Sequence, residues 1–156
     1  MYTLEHNKNN IAVTLLVEDN IADQQLTVRA FKKGKINTNL QIVNDGQEAM
    51  DYLLGVGKYS NQEEYPWPDL ILLDINMPKK DGKQVLKEIR QHPDLKTIPV
   101  VMLTTSDQEN DVLDSYKFGA NSYITKPVRI NDFIDVVNKL EEFWFTLSLL
   151  PPKKQK

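Results

Sequence analysis

The sequence predicts an α/β fold built on a parallel sheet, because of its apolar pattern and the regular alternation of its elements. Four short apolar runs lack the period-two alternation of a half-exposed strand and suit strands buried on both faces of a parallel sheet. A fifth run, residues 40–43, is weaker and is expected nearer an edge. Segments with helical apolar spacing lie between these runs, so a strand followed by a helix repeats five times and one α/β domain is predicted.

The predicted elements divide the 156 residues into a lead-in, a domain and a tail. The predicted strands, in chain order, are residues 11–17, 40–43, 70–74, 98–104 and 121–126. The predicted helices, in chain order, are residues 22–33, 47–56, 82–91, 108–118 and 129–147. We expect residues 1–10 to be a flexible lead-in, residues 11–147 to be the domain with an extended last helix, and residues 148–156 to be a polar tail with no output domain.

Composition narrows the possible functions. A formal charge of −3 argues against nucleic acid as the main ligand, since a phosphate-binding surface usually has a basic excess. The chain has no cysteine, which excludes disulfides, thiolate metal sites and cysteine nucleophiles. No apolar stretch reaches membrane-spanning length and the N-terminus is polar, so neither a membrane partner nor a signal peptide is predicted and a cytoplasmic location is expected.

Charged and hydroxyl side chains are predicted to meet where the strands end. In an open parallel sheet, ligands bind beyond the carboxyl ends of the strands. The first strand ends in Glu18 and Asp19, the third in Asp74, the fourth in Thr104 and the fifth in Lys126. Three carboxylates, a hydroxyl and an amine are therefore expected at one rim of the sheet.

These side chains fit one kind of chemistry. Glu18, Asp19 and Asp74 would repel each other unless a cation neutralised them, and a hard divalent ion such as Mg²⁺ takes oxygen ligands. Asp74 could then act as a carboxylate nucleophile toward phosphorus and form an acyl phosphate. The transferred group carries negative charge, which Lys126 could stabilise while the Thr104 hydroxyl donates a hydrogen bond to a phosphoryl oxygen.

Each of these residues also has a simpler explanation when it is taken alone. Asn20 or Asp19 could cap the following helix. Asp74 could be a turn residue, and Lys126 could be an exposed surface lysine. Tyr123 fits an ordinary packed strand residue as well as a functional one. The presence of carboxylates and a lysine at several strand ends together favours the metal site. A cis peptide bond between Lys126 and Pro127 would direct the lysine side chain inward.

Four short motifs resemble the bacterial response-regulator receiver family. They are VEDN at 17–20, LDINMP at 73–78 with DG at 81–82, LTT at 103–105 and YITKP at 123–127. The resemblance extends over about residues 12 to 142. It implies a doubly wound five-stranded parallel sheet of the flavodoxin-like type, with strand order 2-1-3-4-5 and helices on both faces.

The resemblance also implies a metal site and a phosphoryl acceptor. Asp74 would accept the phosphoryl group. Glu18, Asp19 and Asp74 would bind Mg²⁺, for which Mn²⁺ or Ca²⁺ could substitute, and the backbone carbonyl of Asn76 would be a further ligand.

A switch is implied by the same likeness. Lys126 would hold a phosphoryl oxygen, and Thr104 and Tyr123 would be the pair that responds to phosphorylation, Thr104 by moving and Tyr123 by changing rotamer. Asn76 and Ser106 would sit at rim positions through which such domains vary their dephosphorylation rate.

A finer likeness concerns the partner. The segments PKKDG at 78–82, HPDLK at 92–96, LTTS at 103–106 and FW at 143–144 resemble the small single-domain regulators paired with cyanobacterial phytochrome kinases. This implies that a sensor histidine kinase, of the phytochrome type, carries the phosphohistidine. The chain itself would be a signalling switch with slow autodephosphorylation, and not a metabolic enzyme.

Three other classes of protein remain open from the residues. A phosphatase with an aspartate nucleophile would commonly have a second aspartate two residues later, where this chain has Asn76. A flavin or nucleotide module would need a phosphate cradle after the first strand, where the loop is acidic. A binding scaffold that is never phosphorylated would not need the filled acceptor positions.

The last predicted helix has an unusually wide apolar surface. At about 100° per residue, its core stripe is predicted to consist of Ile130, Phe133, Ile134, Val137 and Trp144. A second apolar set lies to one side of that stripe and consists of Val136, Leu140, Phe143 and Leu147. Either the C-terminus folds back over this side or a partner covers it, and we expect a homodimer because exposed apolar patches of this size mark interfaces.

Overall fold

The computed structural model describes residues 2–3, 11–33, 38–127, 129–147 and 150–154. The strands of the main sheet are β1 Ala12–Val17, β2 Thr38–Val43, β3 Leu70–Leu73, β4 Val100–Thr104 and β5 Ser122–Thr125. The helices are α1 Ile21–Lys33, α2 Gly46–Leu54, α3 Gly82–Gln91, α4 Glu109–Lys117 and α5 Ile130–Glu142. A 3₁₀ turn, Gly57–Ser60, follows α2. Each predicted strand and helix is confirmed, with ends that differ by a few residues.

The five strands form one parallel sheet in the order β2-β1-β3-β4-β5. This confirms the predicted order 2-1-3-4-5. Val17 at the end of β1 is level with Val43 on one side and Leu73 on the other, and Leu73 is level with Met102. Four strands thus end close to one line, which is why the residues that follow them share a rim.

The sheet is covered on both faces, and alternate residues of each central strand enter different cores. Ile71 and Leu73 belong to the core beneath α2 and α3, whereas Leu70 and Leu72 belong to the core beneath α1 and α5. All four side chains are fully buried. The absence of period-two polarity in the sequence follows directly from this double burial.

The two edge strands differ in how well the sequence predicted them. The weaker strand β2 lies at one edge, as expected. β5 lies at the opposite edge, and its side chains are half-buried or exposed. The expectation that this strand is buried on both faces is therefore wrong, because a strand with only one neighbour keeps part of its side chains in contact with solvent.

The last helix departs from its predicted apolar stripe. Phe133, Ile134 and Val137 are buried as expected, whereas Ile130 is 52% exposed. Glu141 takes a core position in the next turn, with 1% of its surface exposed. The chain then continues helically over Phe143–Leu147 with wider, π-type turns, which accounts for the predicted extension of this helix.

The four residues predicted as a second apolar set on α5 do not form one exposed surface. Leu140 is only 7% exposed and packs into the core with α1, so it is not part of an exposed surface of this chain. Val136 is half-buried and Phe143 is 54% exposed. The side chain of Leu147 lies outside the described part of the structure. The homodimer stays a prediction, which now depends on Val136, Phe143 and Leu147.

A short ribbon at the opposite end of the sheet was not predicted. Tyr2–Thr3 pairs antiparallel with Lys153–Lys154. The Lys153 ammonium lies 2.9 Å from a carboxylate oxygen of Asp69, which is almost fully buried and also accepts the backbone N–H of Val13. Among the described residues, no helix combines the length and apolar character needed to cross a bilayer.

Candidate metal and phosphoryl site

The predicted rim residues come together at the carboxyl ends of β1, β3 and β5. Glu18, Asp19 and Asp74 each place one carboxylate oxygen within 4.8 Å of the others. Glu18 is 1% exposed and Asp74 is 9% exposed, whereas Asp19 faces solvent. Three carboxylates at this separation match the preference of a hard divalent cation for oxygen ligands, so the residues fit the implied Mg²⁺.

Lys126 lies among the carboxylates, as predicted. Its ammonium makes a very short contact with Glu18, lies 3.0 Å from a carboxylate oxygen of Asp23 and lies 3.8 Å from Oδ2 of Asp74. The side chain is only 5% exposed. Its peptide bond to Pro127 is trans, so the suggested cis bond is wrong. The lysine points inward because β5 ends level with β4, and its N–H donates to the carbonyl of Thr104.

Burial and charge act against each other at this rim. Burial raises the pKa of Glu18 to about 7, although the hydrogen bond and the charge of Lys126 act to lower it. Burial also acts to lower the pKa of Lys126, but Asp74 and Glu18 outweigh it, so the pKa of the lysine is raised. A protonated Lys126 is therefore the one cation that the described chain supplies in direct contact with Glu18 and Asp74.

The two oxygens of Asp74 have different surroundings. Oδ1 accepts the backbone N–H of Ile75 at 2.8 Å, and Oδ2 is the oxygen nearer Lys126. The loop after β3 is held tightly against this residue by Gly82. A Cβ on Gly82 would lie 2.1 Å from the carbonyl oxygen of Asp74, so only glycine permits the approach. Asp81 caps α3 next to it by accepting the N–H of Gln84.

The cap of α1 explains how Glu18 and Asp23 are placed. Asn20, and not Asp19, caps this helix, since its side chain accepts the N–H of Asp23 at 3.0 Å. Glu18 in turn accepts the N–H of Asn20 at 3.0 Å. Asp23 contributes a further carboxylate to the rim, since it pairs with Lys126. Its position in the first turn of a helix that starts at the rim was the signal for this role.

The other residues that were predicted to act at the rim are Thr104, Tyr123 and Asn76, and they differ in burial and in hydrogen bonding. Thr104 ends β4 and is fully buried, and its hydroxyl accepts the N–H of Ser106 at 3.4 Å. Tyr123 is half-buried, and its hydroxyl donates to the carbonyl of Ser106 at 2.7 Å. Asn76 is exposed in the loop after Asp74, so the role of its carbonyl stays a prediction.

Comparison with known proteins identifies a family. Residues 14–138 match the response regulator receiver domain. The chain is 46% identical over 148 residues to response regulator Rcp1 of Synechocystis sp., covering 95% of this chain and 99% of that protein.

Two solved structures share the fold as well as the sequence. The phosphorylated cyanobacterial phytochrome response regulator RcpA has a TM-score of 0.86 and 44% identity, covering 91% of this chain and 99% of that one. The Mn²⁺-bound form of response regulator Rcp1 has a TM-score of 0.82 and 48% identity, covering 90% of this chain and 99% of that one.

Proposed function

Because the chain belongs to the response regulator receiver family, we propose that Asp74 accepts a phosphoryl group from a phosphohistidine and thereby switches the chain between two states. The observation that carries this proposal is the group of three carboxylates within 4.8 Å, with the Lys126 ammonium 3.8 Å from Asp74. Such a group concentrates negative charge around a nearly buried carboxylate and places one cation beside it.

In the proposed transfer, an oxygen of Asp74 attacks phosphorus. The bond from phosphorus to the histidine nitrogen breaks, and its electron pair stays on the imidazole. The Lys126 ammonium lies 3.8 Å from Oδ2 of Asp74. It is therefore close enough to stabilise the negative charge on the phosphoryl oxygens once the group is attached. The backbone N–H of Ile75 fixes the orientation of the carboxylate.

Glu18, Asp19 and Asp74 would hold Mg²⁺, or Mn²⁺ or Ca²⁺ in its place, with the carbonyl of Asn76 as a further ligand. The bound ion supplies positive charge that offsets the carboxylates and the phosphoryl oxygens. The solved Mn²⁺-bound form of Rcp1, at 48% identity, supports the proposal that this chain binds a divalent ion.

The switch pair responds to the new charge. We propose that the Thr104 hydroxyl, which accepts the N–H of Ser106 in this structure, moves toward the phosphoryl group. Tyr123, whose hydroxyl donates to the carbonyl of Ser106, changes rotamer in the same transition. Slow hydrolysis of the acyl phosphate by water would return the chain to its first state, with Asn76 and Ser106 at the rim affecting the rate. The chain is thus a signalling switch.

A sensor histidine kinase is the proposed donor. The relatives named above support a kinase of the phytochrome type, since one of them is described as a phytochrome response regulator. We also propose a cytoplasmic location and no role in nucleic-acid binding, which stay predictions from the sequence.

The experiment that tests this function is phosphorylation of the Asp74→Asn variant. With acetyl phosphate and Mg²⁺, the wild type should gain one phosphoryl mass, and Asp74→Asn should stay at background because the amide is not a nucleophile. Intact-protein mass spectrometry measures the gain. Removal of Mg²⁺ with EDTA should also reduce the labelling of the wild type.

Asp107→Asn is the matched control, since Asp107 is exposed and lies in the loop after β4. It should be labelled as the wild type is. Labelling of Asp74→Asn at the wild-type level would show that another residue is the acceptor.

A further inference from the structure

Two carboxylates from different parts of the rim bind the Lys126 ammonium. It donates to Oε2 of Glu18 and, at 3.0 Å, to Oδ2 of Asp23. Oδ2 of Asp74 lies farther away, at 3.8 Å. An ammonium has three N–H donors, so Glu18 and Asp23 use two of them and one is left for another acceptor.

Glu18 is needed by two cations at once. Its Oε1 accepts the N–H of Asn20 at 3.0 Å, and its Oε2 accepts from Lys126. The same side chain is one of the three carboxylates within 4.8 Å that fit a divalent ion. The ion and the ammonium are both positive and need the same buried carboxylate, so each weakens the binding of the other to Glu18.

Asp23 is a partner of Lys126 that does not belong to the group of three carboxylates. Its side chain is 28% exposed, and the lysine that it contacts is 5% exposed. A hydrogen bond between two charged groups is stronger than one between neutral groups. Asp23 can therefore keep its bond to the ammonium when Glu18 serves as a ligand of the ion.

The position of this carboxylate is set by the backbone of Asp23. The N–H of Asp23 donates to Oδ1 of Asn20 at 3.0 Å, and its carbonyl accepts the hydroxyl of Thr27 at 2.9 Å. Both contacts use main-chain atoms of Asp23, so replacement of its side chain leaves them in place. A variant at this position thus tests the contact with Lys126 and keeps the start of α1.

We propose that Asp23 is a positioning residue, which keeps the Lys126 ammonium beside Asp74 when Glu18 binds a divalent ion. This inference rests on the proposed function, because the lysine needs to stay there only if Asp74 receives a phosphoryl group. The effect of Asp23 on the ion and on the acceptor passes through Lys126.

Loss of Asp23 should make Lys126 a stronger competitor of the ion. Within the described chain, the ammonium would then have only Glu18 and Asp74 as charged partners, and both are proposed to bind the ion. The ion would have to displace a cation that has no other carboxylate to contact. Mg²⁺ affinity should therefore fall when Asp23 is removed, but only in a chain that still has Lys126.

A double-mutant cycle on Mg²⁺ binding tests this coupling. Isothermal titration calorimetry, with Mg²⁺ as the only ligand, should give a Kd about five-fold higher for Asp23→Ala than for the wild type. In the Lys126→Met background, the same change should alter the Kd by less than about two-fold. Asp107→Ala removes an exposed carboxylate from the loop after β4 and is the control, with a change also below about two-fold.

The second readout is the rate of labelling by acetyl phosphate, at Mg²⁺ concentrations that saturate each variant. Asp23→Ala should be labelled roughly ten-fold more slowly than the wild type, because a misplaced ammonium stabilises the transferred group less well. Asp23→Asn keeps an oxygen that can accept from the ammonium and should recover part of the rate. Labelling of Asp23→Ala at the wild-type rate would overturn the positioning role.

The outcomes separate this inference from the proposed function. An equal loss of Mg²⁺ affinity with and without Lys126 would make Asp23 a charge that acts through space, which overturns the inference even if the wild type is labelled normally. An unchanged affinity in Asp23→Ala also overturns it. A wild type that accepts no phosphoryl group contradicts the proposed function, while the Mg²⁺ cycle still decides whether Asp23 and Lys126 are coupled. If Lys126→Met does not fold, Lys126→Gln removes the same charge and takes its place in the cycle.

Discussion

Two glutamates of this chain are equally buried, but their surroundings differ completely. Glu18 at the rim and Glu141 in α5 are each 1% exposed. Glu18 contacts the ammonium of Lys126 and accepts a backbone N–H. Glu141 has no ion pair within the described chain, and the hydroxyl of Thr14 lies 3.4 Å and 3.5 Å from its two oxygens.

The pKa values follow these surroundings. Burial raises the pKa of Glu141 to about 8, and the hydrogen bond from Thr14 lowers it only in part. Burial raises the pKa of Glu18 to about 7, against the hydrogen bond and charge of Lys126. A carboxyl group beside a fixed cation can lose its proton near neutral pH and so serve a metal site. A buried carboxyl group such as that of Glu141, with a threonine hydroxyl beside it, keeps its proton up to about pH 8.

The largest expected effect comes from removing the acid of α5 with Glu141→Gln. The folded-state pKa of about 8 lies above the ordinary value of 4.5 for a glutamate, so the folded chain keeps a proton that the unfolded chain releases. Stability is therefore complete at low pH and is lost as pH rises from about 5 to about 8. Glu141→Gln cannot ionise and should be more stable than the wild type by about 4 kcal/mol at pH 8.

Urea unfolding at several pH values measures this difference. Glu142→Gln is the control, because Glu142 is the next residue and is exposed. It should keep the pH dependence of the wild type. A Glu141→Gln variant that loses stability above pH 5 as steeply as the wild type would mean that Glu141 is already charged in the fold.

A smaller effect is expected when Glu18 loses its cation, so that it is buried without an ion pair, as Glu141 is within the described chain. Lys126→Met leaves Glu18 buried without its cation and leaves Asp74 and Asp23 without theirs. Removing one partner of a buried ion pair costs about 3 kcal/mol, so the free energy of unfolding should fall by that amount in Mg²⁺-free buffer at pH 7.

Chemical denaturation with and without Mg²⁺ checks this prediction. Mg²⁺ should restore part of the loss, since the ion offsets the same carboxylates. Lys139→Met is the control, because Lys139 is exposed on α5, and its stability should stay near that of the wild type. If Lys126→Met were as stable as Lys139→Met without Mg²⁺, the lysine would contribute nothing to the fold.

The smallest effect concerns the hydroxyl beside Glu141. Thr14→Val keeps the shape of a fully buried side chain but removes its bonds to Glu141 and to the hydroxyl of Thr38. The bonds to Glu141 are long, at 3.4 and 3.5 Å, so the loss of stability should be about 1 kcal/mol at pH 6. The pKa of Glu141 should rise further, which NMR titration of its side chain can follow.

Thr105→Val is the comparison for this change, because Thr105 is exposed at the other end of the sheet. It should alter neither the stability nor the titration. An unchanged pKa of Glu141 in Thr14→Val would mean that the hydroxyl does not reach the carboxyl group in solution.

Much of the rim could be predicted because it depends on topology alone. In a parallel sheet the carboxyl ends of the strands meet at one edge, so residues that follow four apolar runs must be neighbours. This places Glu18, Asp19, Asp74, Thr104 and Lys126 together without any knowledge of side-chain contacts. The family motifs then added the strand order, which apolar periodicity does not contain.

Other features depended on contacts between distant segments. The inward turn of Asp23, the burial of Glu141 and the division of the apolar set on α5 each result from how α1 and α5 pack. Glu141 had no place in the predicted core, because a glutamate is rarely fully buried. The exposure of β5 was visible in the sequence and was missed, since SYIT at 122–125 is half polar whereas LILL at 70–73 is entirely apolar.

The sequence by itself determined the α/β class, the five strands and the rim residues that follow strand ends, because local apolar patterns and strand ends decide them. Only the tertiary structure decided which carboxylates share Lys126, which glutamate is buried beside Thr14, and which carbonyl the Tyr123 hydroxyl contacts. These contacts join segments that are far apart in the chain, and their geometry is set by packing across the whole sheet.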